Sequence, residues 1–146
     1  MGVKAPMNAL LKAVVALPVA AAAFLAGCNP YAEGLKRANA KEQAHNRTLT
    51  KAAIVMNGVK AWSAAHGGEL PNAQQFRNEV RPVLPSTNGF GITDAELKEA
   101  HAAFQWTFAG GRVEGTGGSE REVGRLADPH GGAIGYANGE VRRGFN

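Results

Sequence analysis

The feature that most constrains this chain is a charge-free apolar run near its N-terminus. The run extends from Ala13 to Leu25 and follows a short basic region that carries Lys4 and Lys12. This order is typical of an export signal. About 13 residues of helix reach roughly 20 Å, which is too short for a hydrocarbon core of about 30 Å. Because Pro18 also interrupts the run, we expect a transient signal segment rather than a permanent membrane span.

The run ends at Leu25–Cys28 (LAGC), which resembles the lipobox of bacterial lipoprotein precursors. In such a site the small residues Ala26 and Gly27 let a peptidase approach the backbone, and the Cys28 thiol accepts a diacylglyceryl group. The resemblance implies cleavage before Cys28 and acylation of the new amine. Cys28 is the only cysteine, so it has no disulfide partner, whereas acyl chains would give it a role as a stable anchor. The alternatives are an ordinary signal peptide with a chance cysteine, or an uncleaved helix.

The lipobox predicts a signal peptide over 1–27, a lipidated tether over 28–34 and one domain over 35–146. Removing 27 of the 146 residues leaves 119, the length of a single domain. The bilayer is then a partner through the Cys28 acyl chains, and the domain faces the periplasm or the cell exterior. In well-studied Gram-negative bacteria, an Asp directly after the acylated cysteine favours retention at the inner membrane. This chain has Asn29 there, and the absence of Asp favours the outer membrane.

The charge of the mature chain argues against nucleic acid as a partner. The formal net charge of the whole chain is +4, and two lysines leave with the signal segment. The remaining charge of about +2 is too small for a nucleic-acid-binding protein, which needs a clustered basic face. Six basic residues lie near the expected anchor, where they contact either lipid headgroups or only solvent: Lys36, Arg37, Lys41, Arg47, Lys51 and Lys60.

The mature chain is predicted to be α+β, with a long N-terminal helix, short helices and a small C-terminal antiparallel sheet. The spacing of apolar residues predicts the long helix over Leu35–His66, with Pro30 and Gly34 discouraging an earlier start. The polar stretch between Ala38 and Leu49 predicts an exposed first half. We expect Gly67 and Gly68 to end the helix and His66 to complement its C-terminal dipole.

Two shorter helices are expected next. Asn72 is predicted to cap the first, which Pro82 and Pro85 would end; its inward residues are Phe76, Val80 and Val83. Thr93–Glu96 reads as the capped start of the second, with one apolar face formed by Leu97, Ala100 and Phe104. The aromatic residues are interpreted as core rather than as a binding platform: Trp62, Phe76, Phe104, Trp106 and Phe108.

The rest of the chain reads as strands. Alternation over Phe104–Phe108 predicts a half-buried strand, and Gly110-Gly111 a turn into a short strand around Val113. Asn138-Gly139 lies between two further runs, Ile134–Ala137 and Glu140–Arg143, and predicts a hairpin because both turn positions tolerate positive φ.

This order of elements resembles the soluble domain of type IV pilins and pseudopilins. Val59–Pro71 is similar to the end of the pilin helix, and Asp128–Tyr136 to the Asp-Pro turn of pseudopilins. The resemblance covers roughly 40–146. The chain lacks the hydrophobic N-terminal helix with its glutamate that builds a pilin filament, so the resemblance does not imply polymerisation. It also ends soon after the Asp-Pro turn, which argues against the calcium loop of major pseudopilins.

No set of residues predicts catalysis, and no cofactor is expected other than the covalent lipid on Cys28. None of the four histidines pairs at a zinc-ligand spacing. Asp128 and His130 are interpreted as a turn in which Asp128 accepts backbone hydrogen bonds. Gly115–Ser119 lacks the lysine of a phosphate-binding loop. The leading hypothesis is a non-enzymatic envelope protein that contacts another protein. The alternative is a ligand-binding or hydrolytic lipoprotein, with Asp128, His130 and Tyr136 near a pocket under the glycine-rich loop.

Overall fold

The protein is α+β, as predicted. The computed structural model of the chain describes residues 30–84, 91–115 and 117–144. The predicted signal peptide, Cys28 and Pro85 lie outside the described residues. The elements run in the order α1 (Pro30–Ala65), α2 (Ala73–Asn78), α3 (Asp94–Ala103), β1 (Gln105–Trp106), a short 3-10 helix (Gly118–Glu120), β2 (Glu122–Leu126), β3 (Ala133–Tyr136) and β4 (Val141–Arg143). They belong to two compact units, Met1–Ala40 and Lys41–Asn146.

Helix α1 begins five residues earlier than the sequence predicted. It starts at Pro30 rather than at Leu35, because proline fits the first helical position, where no backbone N–H is needed. Gly34 is accommodated inside the helix, so the prediction of a non-helical tether was wrong for residues 30–34. The C-terminal end matches the prediction: the Gly68 N–H donates to the Ser63 carbonyl at 2.9 Å, with Gly67 and Gly68 both at positive φ.

His66 completes this C-terminal end. Its Nδ1 lies 2.7 Å from the Trp62 carbonyl oxygen, and since a carbonyl only accepts, Nδ1 must carry the proton. The imidazole also stacks on the Trp62 ring with 3.7 Å between centroids. The predicted role of His66 at the helix end is therefore confirmed.

The caps of α2 and α3 are as predicted. Asn72 and Gln75 form a reciprocal capping box, and Thr93 and Glu96 form another. Two details of α2 differ from the prediction: it ends at Asn78, well before Pro82, and Val83 is exposed.

The C-terminal sheet has four antiparallel strands in the order β1-β2-β3-β4. The strand predicted over Phe104–Phe108 is shorter, comprising only Gln105–Trp106. The strand predicted around Val113 is wrong, because Gly111 instead forms an isolated bridge with Leu70. Strand β2 was not predicted, although it pairs with both β1 and β3.

The hairpin between β3 and β4 is confirmed, but its turn differs from the expected type. The Gly139 N–H donates to the Tyr136 carbonyl at 2.8 Å, and the Tyr136 N–H donates to the Glu140 carbonyl at 3.0 Å. Only Gly139 has positive φ, at 85°, while Asn138 does not. This pattern is a three-residue loop with a glycine bulge rather than a two-residue turn.

The second half of α1 forms one wall of the core. Its buried residues pack with residues from α2, α3 and the sheet in a single cluster: Ala52, Val55, Met56, Val59, Trp62, Leu70, Phe76, Val80, Ala100, Phe104, Phe108, Val123, Leu126 and Ala133. Phe76 stacks on Trp106 with centroids 4.7 Å apart, and the Trp106 indole N–H donates to the Pro71 carbonyl at 2.9 Å. The aromatic residues are thus core, as predicted.

Gly124 in β2 tests the contact between the sheet and the core. A Cβ atom at this position would overlap the Phe104 ring and lie 2.6 Å from the Gln105 carbonyl oxygen. We expect Gly124→Ala to lower the free energy of unfolding by about 1–3 kcal/mol, measured by urea denaturation. The control is Gly34→Ala, where a Cβ meets nothing within 4 Å. Equal midpoints for the two variants would contradict the described packing of Phe104 on β2.

Glu96 gives the fold a predicted pH dependence. The backbone N–H of Thr93 and the guanidinium of Arg47 lower the pKa of Glu96 from 4.5 to about 2. A carboxyl with a lowered pKa stabilises the fold above its ordinary pKa and loses this contribution as pH falls towards the folded value. Between about pH 4.5 and 2, thermal melting of the wild type should therefore fall more steeply than that of Glu96→Gln. Parallel curves would contradict the contact with Arg47 at 2.9 Å.

Candidate functional site

Asp128 lies in the turn that precedes β3. Its Oδ1 accepts a hydrogen bond from the backbone N–H of His130 at 2.9 Å, so the predicted turn is confirmed. The His130 side chain is exposed. The two residues are therefore joined through the backbone of His130 rather than through its imidazole.

The second carboxylate oxygen of Asp128 faces His45 of α1. Nδ1 of His45 lies 3.7 Å from Oδ2 of Asp128, and the two side chains are only 1% and 7% exposed. The His45–Asp128 pair thus joins the first long helix to the turn before β3. It is the most deeply buried pair of titratable groups among the described residues.

The burial of His45 corrects the prediction that this part of α1 is exposed. His45 lies four residues before Leu49 and seven before Ala52, so it continues the helix face that enters the core. The surrounding residues Lys41, Glu42 and Asn46 are exposed. The helical spacing could therefore have identified His45 as buried. Its polar neighbours concealed this signal.

Gly131 lies next to the imidazole of His45. A Cβ atom on Gly131 would lie 3.6 Å from Cε1 of His45 and 3.0 Å from the Gly144 carbonyl oxygen. Gly131 also has φ 127°, a conformation that side chains disfavour. The chain closes over this region through the Gly144 N–H, which donates to the Gly132 carbonyl at 3.0 Å.

The surroundings of Asp128 favour its ionised form. Burial works to raise its pKa, but the His130 backbone N–H, the nearby Thr48 hydroxyl, and the charges of His130 and His45 outweigh burial and lower the pKa. Oδ2 of Asp128 and both ring nitrogens of His45 make no hydrogen bond with any described residue. For Asp128 the largest compensation for leaving water is the hydrogen bond from the His130 backbone N–H, and the charge of His45 adds a smaller one.

This geometry is poorly suited to catalysis. A histidine oriented by a carboxylate acts as a general base only if its other ring nitrogen reaches the substrate. Nε2 of His45 is buried with no polar partner among the described residues. The arrangement instead suits an internal electrostatic contact that holds the 127–132 turn against α1.

Neither the cavity that Asp128 borders nor the one beside the glycine-rich loop has Asp128, His130 and Tyr136 together in its lining. Asp128 borders a cavity of about 170 Å³ together with Arg125 and Gly132, without His130 or Tyr136. Tyr136 instead lies beneath Arg142, whose guanidinium carbon is 4.8 Å from the ring centroid. The cavity beside the glycine-rich loop, about 320 Å³, is lined by other residues: Ser63, Gly68, Leu70, Arg112, Val113, Ser119, Ala137 and Asn138.

Within 30–84, 91–115 and 117–144, no three His, Cys, Asp or Glu residues form a group able to hold a metal ion. No helix in that part of the chain is long and apolar enough to cross a bilayer.

Comparison with known proteins gives no relative. No family model, no curated protein and no solved structure matches the chain.

The contact between His45 and Asp128 predicts that mutations of these two residues have non-additive effects on stability. We expect Asp128→Asn and His45→Gln each to lower the free energy of unfolding by about 1–3 kcal/mol, because each disturbs a buried polar partner. The double variant should lose less than the sum of the two, since the residues share one interaction. Urea denaturation of the four proteins measures this coupling.

His130→Ala is the matched control. Its side chain is exposed and its hydrogen bond to Asp128 comes from the backbone, so we expect a change within about 0.5 kcal/mol. Strict additivity of the His45 and Asp128 variants, or a loss for His130→Ala as large as theirs, would contradict the assignment.

Proposed function

We propose that the protein is a bacterial envelope lipoprotein, anchored through acyl chains on Cys28, with a non-enzymatic role in contacting another envelope protein. The observation that carries the proposal is Leu25–Cys28, which places the only cysteine of the chain directly after a charge-free run. Acylation gives this thiol a function that disulfide pairing within the chain does not offer. Asn29 favours the outer membrane as the site of anchoring.

The fold is compatible with an interaction domain of the pilin-like type. A long helix, a glycine stop, a proline-bearing loop, short helices and a terminal antiparallel sheet follow one another in the order of that family. The lipobox takes the place of the filament-forming helix segment, so we propose a single domain that does not polymerise as pilins do.

The alternative of a ligand-binding or hydrolytic protein receives less support. It needs Asp128 to act on a molecule from solvent, whereas the Asp128 side chain faces His45 and is only 7% exposed. The non-enzymatic role is therefore the better match to the geometry.

Intact mass spectrometry of membrane-fraction protein tests the anchoring. For the wild type we expect a chain that begins at Cys28 and is heavier by its acyl chains, because the thiol and the new amine are both modified. Cys28→Ser removes the acceptor thiol and should abolish this species. An unmodified precursor, or a product cut elsewhere in the wild type, would refute the lipoprotein proposal.

A further inference from the structure

The first turns of α1 carry two exposed apolar side chains. Tyr31 is 72% exposed and Leu35 is 49% exposed. Their spacing of four residues places them on one side of the helix, which we call the Tyr31–Leu35 face. Contact of large apolar side chains with water is unfavourable, and moving them to an apolar boundary lowers the free energy.

One positive charge lies beside this face, that of Lys36, about 100° around the helix from Leu35. Arg37 lies about 200° from Leu35, and Glu33 is the only acidic residue in Pro30–Ala40. Arg37 lies 3.8 Å from Glu33, with both side chains well exposed, so this ion pair holds the guanidinium only weakly. Lys36 makes no ion pair with any described residue. The Lys36 ammonium therefore remains available to a negatively charged partner at this face.

The short distance between Cys28 and the Tyr31–Leu35 face limits how far this face can lie from the membrane. Only Asn29 separates Cys28 from Pro30, and two residues span at most about 7 Å. Leu35 lies five helical residues further on, which adds about 7.5 Å. The headgroup layer on each side of a bilayer is roughly 5–8 Å thick. An acylated Cys28 therefore holds Tyr31 and Leu35 at or near the headgroups.

We propose that the Tyr31–Leu35 face binds an anionic lipid surface, with Lys36 contacting the phosphates. The inference rests on the proposed anchoring at Cys28 and adds a second contact beside it. Aromatic and aliphatic side chains enter the boundary between headgroups and acyl chains, while lysine and arginine extend to the anionic layer. The first turns of α1 thus lie along the membrane surface and prefer anionic lipids.

The test uses the acylated mature protein, which begins at Cys28, with Leu35→Cys. It is labelled with an NBD fluorophore and reconstituted into vesicles. Acylation converts the Cys28 thiol to a thioether, so the introduced cysteine provides the only reactive thiol. In vesicles with about one third phosphatidylglycerol we expect blue-shifted emission and quenching by nitroxide-labelled lipids. Replacing Lys36 by glutamine should reduce the quenching at least about twofold, because its charge strengthens contact with anionic lipid.

Ala40→Cys is the matched control within the same unit. It is exposed and lies about 140° around the helix from Leu35, so its label should keep water-like emission and little quenching. Equal, water-like signals at both positions with one label per chain would overturn the lipid contact alone. Blue-shifted emission that rises with protein density, without lipid quenching, would instead indicate a second copy of the chain and also overturn it. Two labels per chain would show a free Cys28 thiol and overturn the anchoring itself.

Discussion

The fold depends on the burial of one face of α1 from His45 to Trp62. The residues of this face are nearly inaccessible, with Val55 and Met56 at 0% exposure. None of the other elements is long enough to form a core alone, since β1 has two residues and α2 has six. They become stable by covering the same helix face and by packing against Phe76 and Phe104. Because this apolar burial is shared, local changes in any of the elements affect the whole unit.

Features governed by neighbouring residues were predictable from the sequence. The capping residues Asn72 and Thr93, the glycine stop after α1 and the Asn138-Gly139 hairpin all follow from local hydrogen bonding and backbone preference. Even there the turn type was wrong, because Asn138 keeps negative φ and only Gly139 is left-handed. The start of α1 was also wrong, because Pro30 was taken as a helix breaker although it suits a first position.

Features that depend on distant partners were missed. Strand β2 contains Gly124 at a position where the Phe104 ring leaves no room for a side chain, and this glycine hides the strand pattern. Val113 suggested a strand, but its neighbour Gly111 pairs with Leu70 instead. The His45–Asp128 pair joins residues far apart in the chain, so Asp128 was considered with His130 and Tyr136 and not with His45.

The position of this pair explains why a histidine and an aspartate need not indicate catalysis. Asp128 is held by the His130 backbone N–H and faces His45 inside the protein. Such a contact orients a turn against a helix at the cost of removing two polar groups from water. This view agrees with the proposed role of an anchored interaction domain.

The most direct test of this account is hydrogen exchange of individual backbone amides in the native protein. The Gly144 N–H bonds to Gly132 beside His45, whereas the amides of Val55 and Met56 lie in the core of α1. If the His45–Asp128 pair is a permanent structural contact, these amides should exchange with similar opening free energies, close to that of global unfolding. Exchange at Gly144 with a much lower opening free energy, while the amides of α1 stay protected, would contradict the account. It would mean that the contact of Gly144 with Gly132 opens while α1 stays folded.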